Sequence, residues 1–226
     1  MRALPTILLS LSLAWGNALA EESVNPGIND HYEGALYEEW VDVFESAGRE
    51  VYDRREAIVD ALALKPGAVV ADIGAGTGFF SLMFARRVGP GGHVYAVDIA
   101  EDFIANIQRL AREAELRNVT GIANDGRGVG LEPESVDLVF ISATYHHFEY
   151  PRTTMKAIHR ALRPGGELAV IDFRTGPGAG AWVNSHARGG EEMAVAEITG
   201  DGFRLVERSE LLRRNYFLRF RKEAAR

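Results

Sequence analysis

The residues best suited to chemistry lie in VVADIGAGTGFF, residues 69–80. An apolar run ending at Ile73 reads as a buried strand, and Gly74, Ala75, Gly76, Thr77 and Gly78 lead from it directly into helical text. Glycines in such a turn let backbone approach a ligand closely, and a helix N-terminus offers N–H groups with partial positive charge, where an anionic group such as a carboxylate docks. Twenty residues after Gly78, the segment HVYAVD ends in Asp98, whose carboxylate can accept hydrogen bonds from both hydroxyls of a ribose. Taken alone, the glycines make an ordinary tight turn and the aspartate an ordinary helix cap. Strand, loop, helix, strand and acid in this register point to a nucleotide-type ligand.

A second chemical group is His146-His147, just after an apolar segment ending at Ser142. An imidazole titrating near ~6.5 is suited to taking a proton from a hydroxyl or an acidic carbon, so both are candidate bases or substrate-positioning groups. The plainer reading is that they orient their loop, with Tyr145 as wall. Asp172 and Arg174 either face a substrate or pair with each other and cap a loop. The remaining histidines (His31, His93, His159 and His186) show no metal-ligand spacing, and the chain has no cysteine. No metal site is expected.

These groups need elements to hold them. From Ala68 onward short apolar strands alternate with amphipathic helices, the sign of βαβ units around a parallel sheet. Strands are expected at 68–73, 93–98, 119–123, 136–142 and 167–173, with helices near 79–88, 101–115 and 152–162. Gly-Pro-Gly-Gly at 89–92 and Arg-Pro-Gly-Gly at 163–166 supply turns. Residues 174–190, rich in glycine, read as a loop, followed by a short helix near 191–199. Residues 203–211 and 216–221 read as a final antiparallel hairpin. Arg213, Arg214, Arg219, Arg221 and Lys222 suit a solvated outer strand. Upstream, 51–64 reads as a helix stopped by Lys65-Pro66-Gly67. The polar stretch before it carries aromatics that serve as a lid or as packing, with Tyr52 nearest the ligand.

The identity of the ligand turns on Phe79. A dinucleotide loop wants glycine or alanine at the sixth position from Gly74, and Phe79 stands there, which argues against NAD and an oxidoreductase. The spacing Asp72-x-Gly74-x-Gly76-x-Gly78 resembles the first motif of the class I S-adenosylmethionine-dependent methyltransferases. Asn124-Asp125-Gly126, the SVDLV strand, YHHF at 145–148 and LRPGGELAVIDF at 162–173 extend the resemblance, toward the small-molecule, quinone-biosynthesis-like branch, over roughly residues 49–226. The family's Leu-Pro element is altered here to Leu131-Glu132-Pro133.

The resemblance implies a doubly wound α/β fold with a mostly parallel seven-stranded sheet whose last strand is antiparallel. It implies S-adenosylmethionine as cofactor, held by Asp72, Gly74, Ala75, Gly76, Gly78, Asp98, Ile99, Asn124, Asp125, Gly126 and Ser142. In that family the glycine turn lies against the methionine part, the acid matching Asp72 holds the amino end, and the acid matching Asp125 meets the adenine amino group. His146 and His147 are then the catalytic candidates, acting on a small-molecule methyl acceptor.

Composition sets the outer bounds. A 226-residue chain with 46% hydrophobic residues buries one sizeable core, and its formal charge of -7 argues against a nucleic-acid coat. Residues 1–20 have Arg2, an apolar run from Leu4 to Trp15 and Ala18-Leu19-Ala20, the pattern of a cleaved export signal. That run is too short for the ~20 residues of a bilayer span. Residues 21–66 form an N-terminal helical segment, and 67–226 the methyltransferase domain. An exported enzyme needs its cofactor supplied from outside, so the alternative is a non-catalytic exported protein that binds S-adenosylmethionine or a nucleoside. Oligomeric state is not legible.

Overall fold

The computed structural model describes residues 20–224. The expected export signal therefore lies outside the described residues, apart from Ala20. Seven strands form one sheet: β1 (Val69–Ile73), β2 (His93–Asp98), β3 (Val119–Ala123), β4 (Val136–Ser142), β5 (Leu162–Phe173), β6 (Phe203–Ser209) and β7 (Asn215–Lys222), ordered β3-β2-β1-β4-β5-β7-β6. β1 through β5 run parallel, and β7 is antiparallel to both β5 and β6. This is the expected doubly wound sheet with its antiparallel last strand.

Helices cover both faces. Before the sheet come α1 (Tyr37–Phe44), α2 (Glu50–Asp53) and α3 (Arg55–Ala61); between strands lie α4 (Phe79–Val88), α5 (Glu101–Glu113), α6 (Pro151–Ala161), α7 (Ala181–His186) and α8 (Glu191–Gly200). Ile58 and Val59 of α3 and Phe80, Phe84 and Val88 of α4 pack on Val70, Val94, Phe140 and Ile171. On the other face Met155 and Ile158 of α6 and Ala194 and Ile198 of α8 meet Ala71, Val139, Val170 and Leu218. Each of the larger side chains among these (Val, Leu, Ile, Met and Phe), removed fully from water, contributes ~1.5–3 kcal/mol. α5 follows the same logic, burying Phe103, Ile104, Ile107 and Ala111 at helical spacing, with Glu101 and Asp102 favourably placed in its first turn.

Four expectations change. The helix expected over 51–64 is split into α2 and α3 at Arg54, where the backbone leaves helical geometry (φ -99°, ψ 8°). The Arg163–Gly166 turn lies inside β5 as an irregularity, pairing slipping from Val136–Leu162 to Leu138–Glu167. The 174–190 loop contains α7, a short helix flanked by glycines on both sides. Finally, β7 is no outer strand: it sits between β5 and β6, and Arg219 and Arg221 pair with Glu167 of β5 at 2.5 and 2.8 Å.

Candidate active site

The carboxyl ends of β1, β2, β4 and β5 open onto one cavity of about 660 Å³, a volume typical of small-molecule and cofactor sites. The turn after β1 is its floor. Gly74 has φ +72°, and a Cβ there would lie 2.3 Å from the Thr144 side chain, so only glycine lets the loops after β1 and β4 approach this closely. Gly74 and Ala75 donate their N–H groups to the Val97 carbonyl at 2.8 and 3.0 Å, Gly76 donates to Asp98 Oδ2 at 2.8 Å, and Gly78 donates to Ala75. This corrects the expected anion cradle: four of the five amides are already bonded, so the turn contributes shape and close approach.

Asp98 closes the β2 side. It is buried, with Oδ1 accepting from Ala100 N–H and Oδ2 from Gly76 N–H; burial raises its pKa, and these backbone bonds work in the other direction. Asp72, at the end of β1, is also buried and accepts from Ser81 Oγ at 2.6 Å. Burial pushes its pKa up to about 7, with the nearby Asp98 charge adding to the rise and Ser81 opposing it. Two acids thus stand under the cavity, one of them ready to exchange a proton near neutrality.

Of the expected cofactor residues, Asp72, Gly74, Ala75, Gly76, Asp98, Ile99, Asn124, Gly126 and Ser142 line the cavity. Gly78 and Asp125 do not. Gly78, at φ +84°, begins α4 and lies against Ile107 of α5, where a Cβ would stand 2.4 Å away. Asp125 is exposed, with its carboxylate taken by the Arg127 N–H in a local turn. Its neighbours Asn124 and Gly126 occupy that wall instead. Tyr52 also misses the cavity, packing edge-on against Phe79 at 5.4 Å.

The N-terminal segment supplies walls that the sequence left open: Tyr32, Trp40 and Phe44 line the cavity and contact one another at 4.7 and 5.2 Å. Arg49, whose guanidinium is the one cationic Lys or Arg group among the lining residues, bonds the Phe44 carbonyl at 2.9 Å. Burial lowers its pKa, while Tyr32, Asp172 and Glu45 hold the charge. Nothing in the sequence around Arg49 distinguishes it from the other arginines.

Across β1 from Asp98, the 3-10 turn Tyr145–His147 after β4 brings both expected histidines to the cavity. Asp172 at the end of β5 fixes His146, accepting from its Nδ1 at 2.8 Å and from its backbone N–H at 3.0 Å. Burial raises the Asp172 pKa, but His146 and these bonds outweigh it and hold the carboxyl below its usual range. Arg174 pairs with Glu191 of α8, so Asp172 and Arg174 serve different partners. His147 has a different environment: burial, reinforced by His146 and His186, drives its pKa down to about 3. So weakly basic a ring is a poor proton acceptor at neutral pH. His186, which the sequence gave no reason to join them, sits 5.0 Å from His146 and 5.2 Å from His147 between ring centroids. Its arrival depends on α7, the helix hidden in the glycine-rich stretch.

A family profile described as a methyltransferase domain matches residues 64–207. The chain belongs to the methyltransferase-domain family. The chain is 33% identical over 121 residues to the ubiquinone/menaquinone biosynthesis C-methyltransferase UbiE of Hydrogenovibrio crunogenus, covering 53% of this chain and 47% of that one. It spans about half the length of the curated relatives it matches. A solved S-adenosylmethionine-dependent methyltransferase from Aquifex aeolicus superposes with a TM-score of 0.74 at 22% identity, covering 83% of this chain and 99% of that one. The 1,6-didemethyltoxoflavin-N1-methyltransferase of Burkholderia thailandensis, solved with S-adenosylhomocysteine, gives 0.64 at 24% identity, covering 83% and 84%. At these identities the solved structures establish the fold. Family and fold together bear out a methyltransferase domain built on the expected doubly wound sheet, and within this domain Phe79 opens α4 where a dinucleotide loop would carry its third glycine.

Proposed function

We propose that the chain moves a methyl group from S-adenosylmethionine to a small, largely apolar acceptor. The observation that carries this reading is a single cavity joining the buried Asp98 carboxylate, the glycine turn and the His146–Asp172 pair. Each carboxylate oxygen of Asp98 accepts one backbone bond and keeps a lone pair for a ribose hydroxyl. Asp72 receives the cofactor's ammonium group, and the Arg49 guanidinium its carboxylate, since four of the five amides of the turn are occupied. Asn124 and Gly126 border the base. The bound cofactor supplies an electrophilic methyl carbon on a positively charged sulfur. The protein's part is alignment: the acceptor must lie in line behind that carbon, in a pocket dry enough to keep water from competing.

His146, oriented by Asp172, is the side chain placed to act on the acceptor, beside walls of Trp40, Phe148, Phe173 and Trp182. These aromatic walls favour a flat apolar acceptor over a charged one. The relatives named for ubiquinone/menaquinone biosynthesis and for 1,6-didemethyltoxoflavin methylation are concerned with ring compounds, in keeping with this preference.

Calorimetry with S-adenosylhomocysteine and with NAD tests the cofactor assignment: tight binding of the former and none of the latter is expected, and the reverse would overturn it. Transfer of labelled methyl to compounds in a cell extract separates turnover from binding alone. Binding without transfer to any acceptor would favour the exported binding protein.

A further inference from the structure

We propose that His146, His147 and His186 bind one divalent ion of the zinc class, whose remaining coordination position receives an ionisable hydroxyl of the acceptor. One ring nitrogen from each of the three lies within 4.8 Å of the others. Nε2 of His146 and Nδ1 of His147 are both buried and have no hydrogen-bond partner among the described residues. A buried nitrogen without a partner keeps its desolvation cost, and an ion at the centre of the three rings removes it for both. The outer nitrogen of His146 is already held by the Asp172 carboxylate, the carboxylate–histidine pairing that orients metal ligands and raises their basicity. Trp182 stacks on His186 at 4.5 Å and steers the third ring toward the other two.

Three imidazoles with one open position suit tetrahedral zinc, in which ligand nitrogens stand ~3.3 Å apart. Small ring rotations and a shift of α7 on its flanking glycines close the gap from 4.8 Å. The cavity in contact with all three histidines is the one that holds the acceptor. On binding the ion, the acceptor hydroxyl gives its proton to solvent. The oxygen, or a ring carbon sharing its charge, then attacks the methyl carbon with the electron pair left behind, and the carbon–sulfur bond breaks with its pair passing to sulfur. The role given to the acceptor rests on the methyl-transfer reading; the ion site does not.

The test is a titration of chelator-stripped, full-length protein with Zn²⁺ by calorimetry, with Co²⁺ as a spectroscopic substitute. One ion per chain is expected, with the intense visible bands of tetrahedral cobalt. His186→Ala, at a half-exposed position, should weaken zinc binding by roughly 100-fold or more and abolish those bands while S-adenosylhomocysteine binding persists. Asp172→Asn should weaken zinc roughly 10–100-fold through His146. Absence of zinc uptake by a protein that binds S-adenosylhomocysteine would overturn the site, as would unchanged zinc affinity in both His186→Ala and His146→Ala. Zinc bound by a protein that takes no S-adenosylhomocysteine would sustain the site and overturn the methyl-transfer reading instead.

Discussion

Asp98 has each of its oxygens tied to one main-chain amide, so its orientation is set before any ligand arrives. Asp98→Asn keeps the shape but removes the charge and one acceptor, and two charge-assisted bonds to a ribose are each worth ~1.5–3 kcal/mol. S-adenosylhomocysteine affinity should fall by roughly 100-fold or more, read by calorimetry on the folded protein, and the melting temperature should fall as well because one of the two main-chain amides then faces the asparagine NH2. Asp72 gives a pH signature. Its pKa of about 7 in the folded chain exceeds the ~3.9 of an unfolded aspartate. The folded state therefore keeps a proton the unfolded chain loses, and this group's stabilisation is greatest below about pH 4, declines toward pH 7 and is flat above it. An ammonium docking on Asp72 pulls that pKa down, so cofactor binding near pH 6 should release a proton and affinity should rise toward about pH 8. Calorimetry in buffers of different ionisation heat measures the proton, and Asp72→Asn should abolish its release. At this scale the sequence was informative where a residue's type dictates its task, as for Asp98 and the glycine turn. It misled at Asp125, because a loop residue's direction depends on a local turn, and it was silent on Arg49 and His186, which reach the cavity only through tertiary packing.

The turn glycines divide their work between elements. Gly74 permits the loop after β4 to close over the end of β1, whereas Gly78 lets α4 start hard against α5. Gly78→Ala forces a left-handed backbone onto a residue with a Cβ and drives that atom into Ile107, at a combined cost of roughly 2–5 kcal/mol. Urea unfolding should show the loss, while the folded fraction retains its affinity for S-adenosylhomocysteine, since Gly78 does not line the cavity. Strands and long helices were legible because their periods are strong: β2 matches its expected limits, and α5 ends within two residues of its expected end. α7 was not, since a six-residue helix carries too few repeats to show a period and sits among glycines that read as loop.

Over the whole molecule, the alternation of strands and helices predicts a doubly wound sheet, but no local pattern reveals that the last strand inserts beside β5 and leaves β6 at the edge. That insertion turned an expected fringe of arginines into cross-strand pairs with Glu167. The segment ahead of the sheet is attached at separate points: Glu21 accepts from the first amides of α6 at Arg152 and Thr153, Val24 donates to the Glu149 carbonyl, and Asp102 accepts from Tyr37 N–H. Between these points it forms cavity wall with few buried side chains of its own, the character of a region that opens locally before the core does. Limited proteolysis should cut within residues 21–45 first, and saturating S-adenosylhomocysteine should slow that cut several-fold; equal rates with and without ligand would count against the wall's role. Export remains a proposal for residues 1–20, and a mature mass beginning at Glu21 would support it.

The turn after β1 has a practical consequence. Because its amides bond to Val97, Asp98 and Ala75 of the same chain, it has little to gain by rearranging around a guest. Crystals grown empty should therefore accept soaked fragments at that end without cracking, and screening can begin before the natural acceptor has been found.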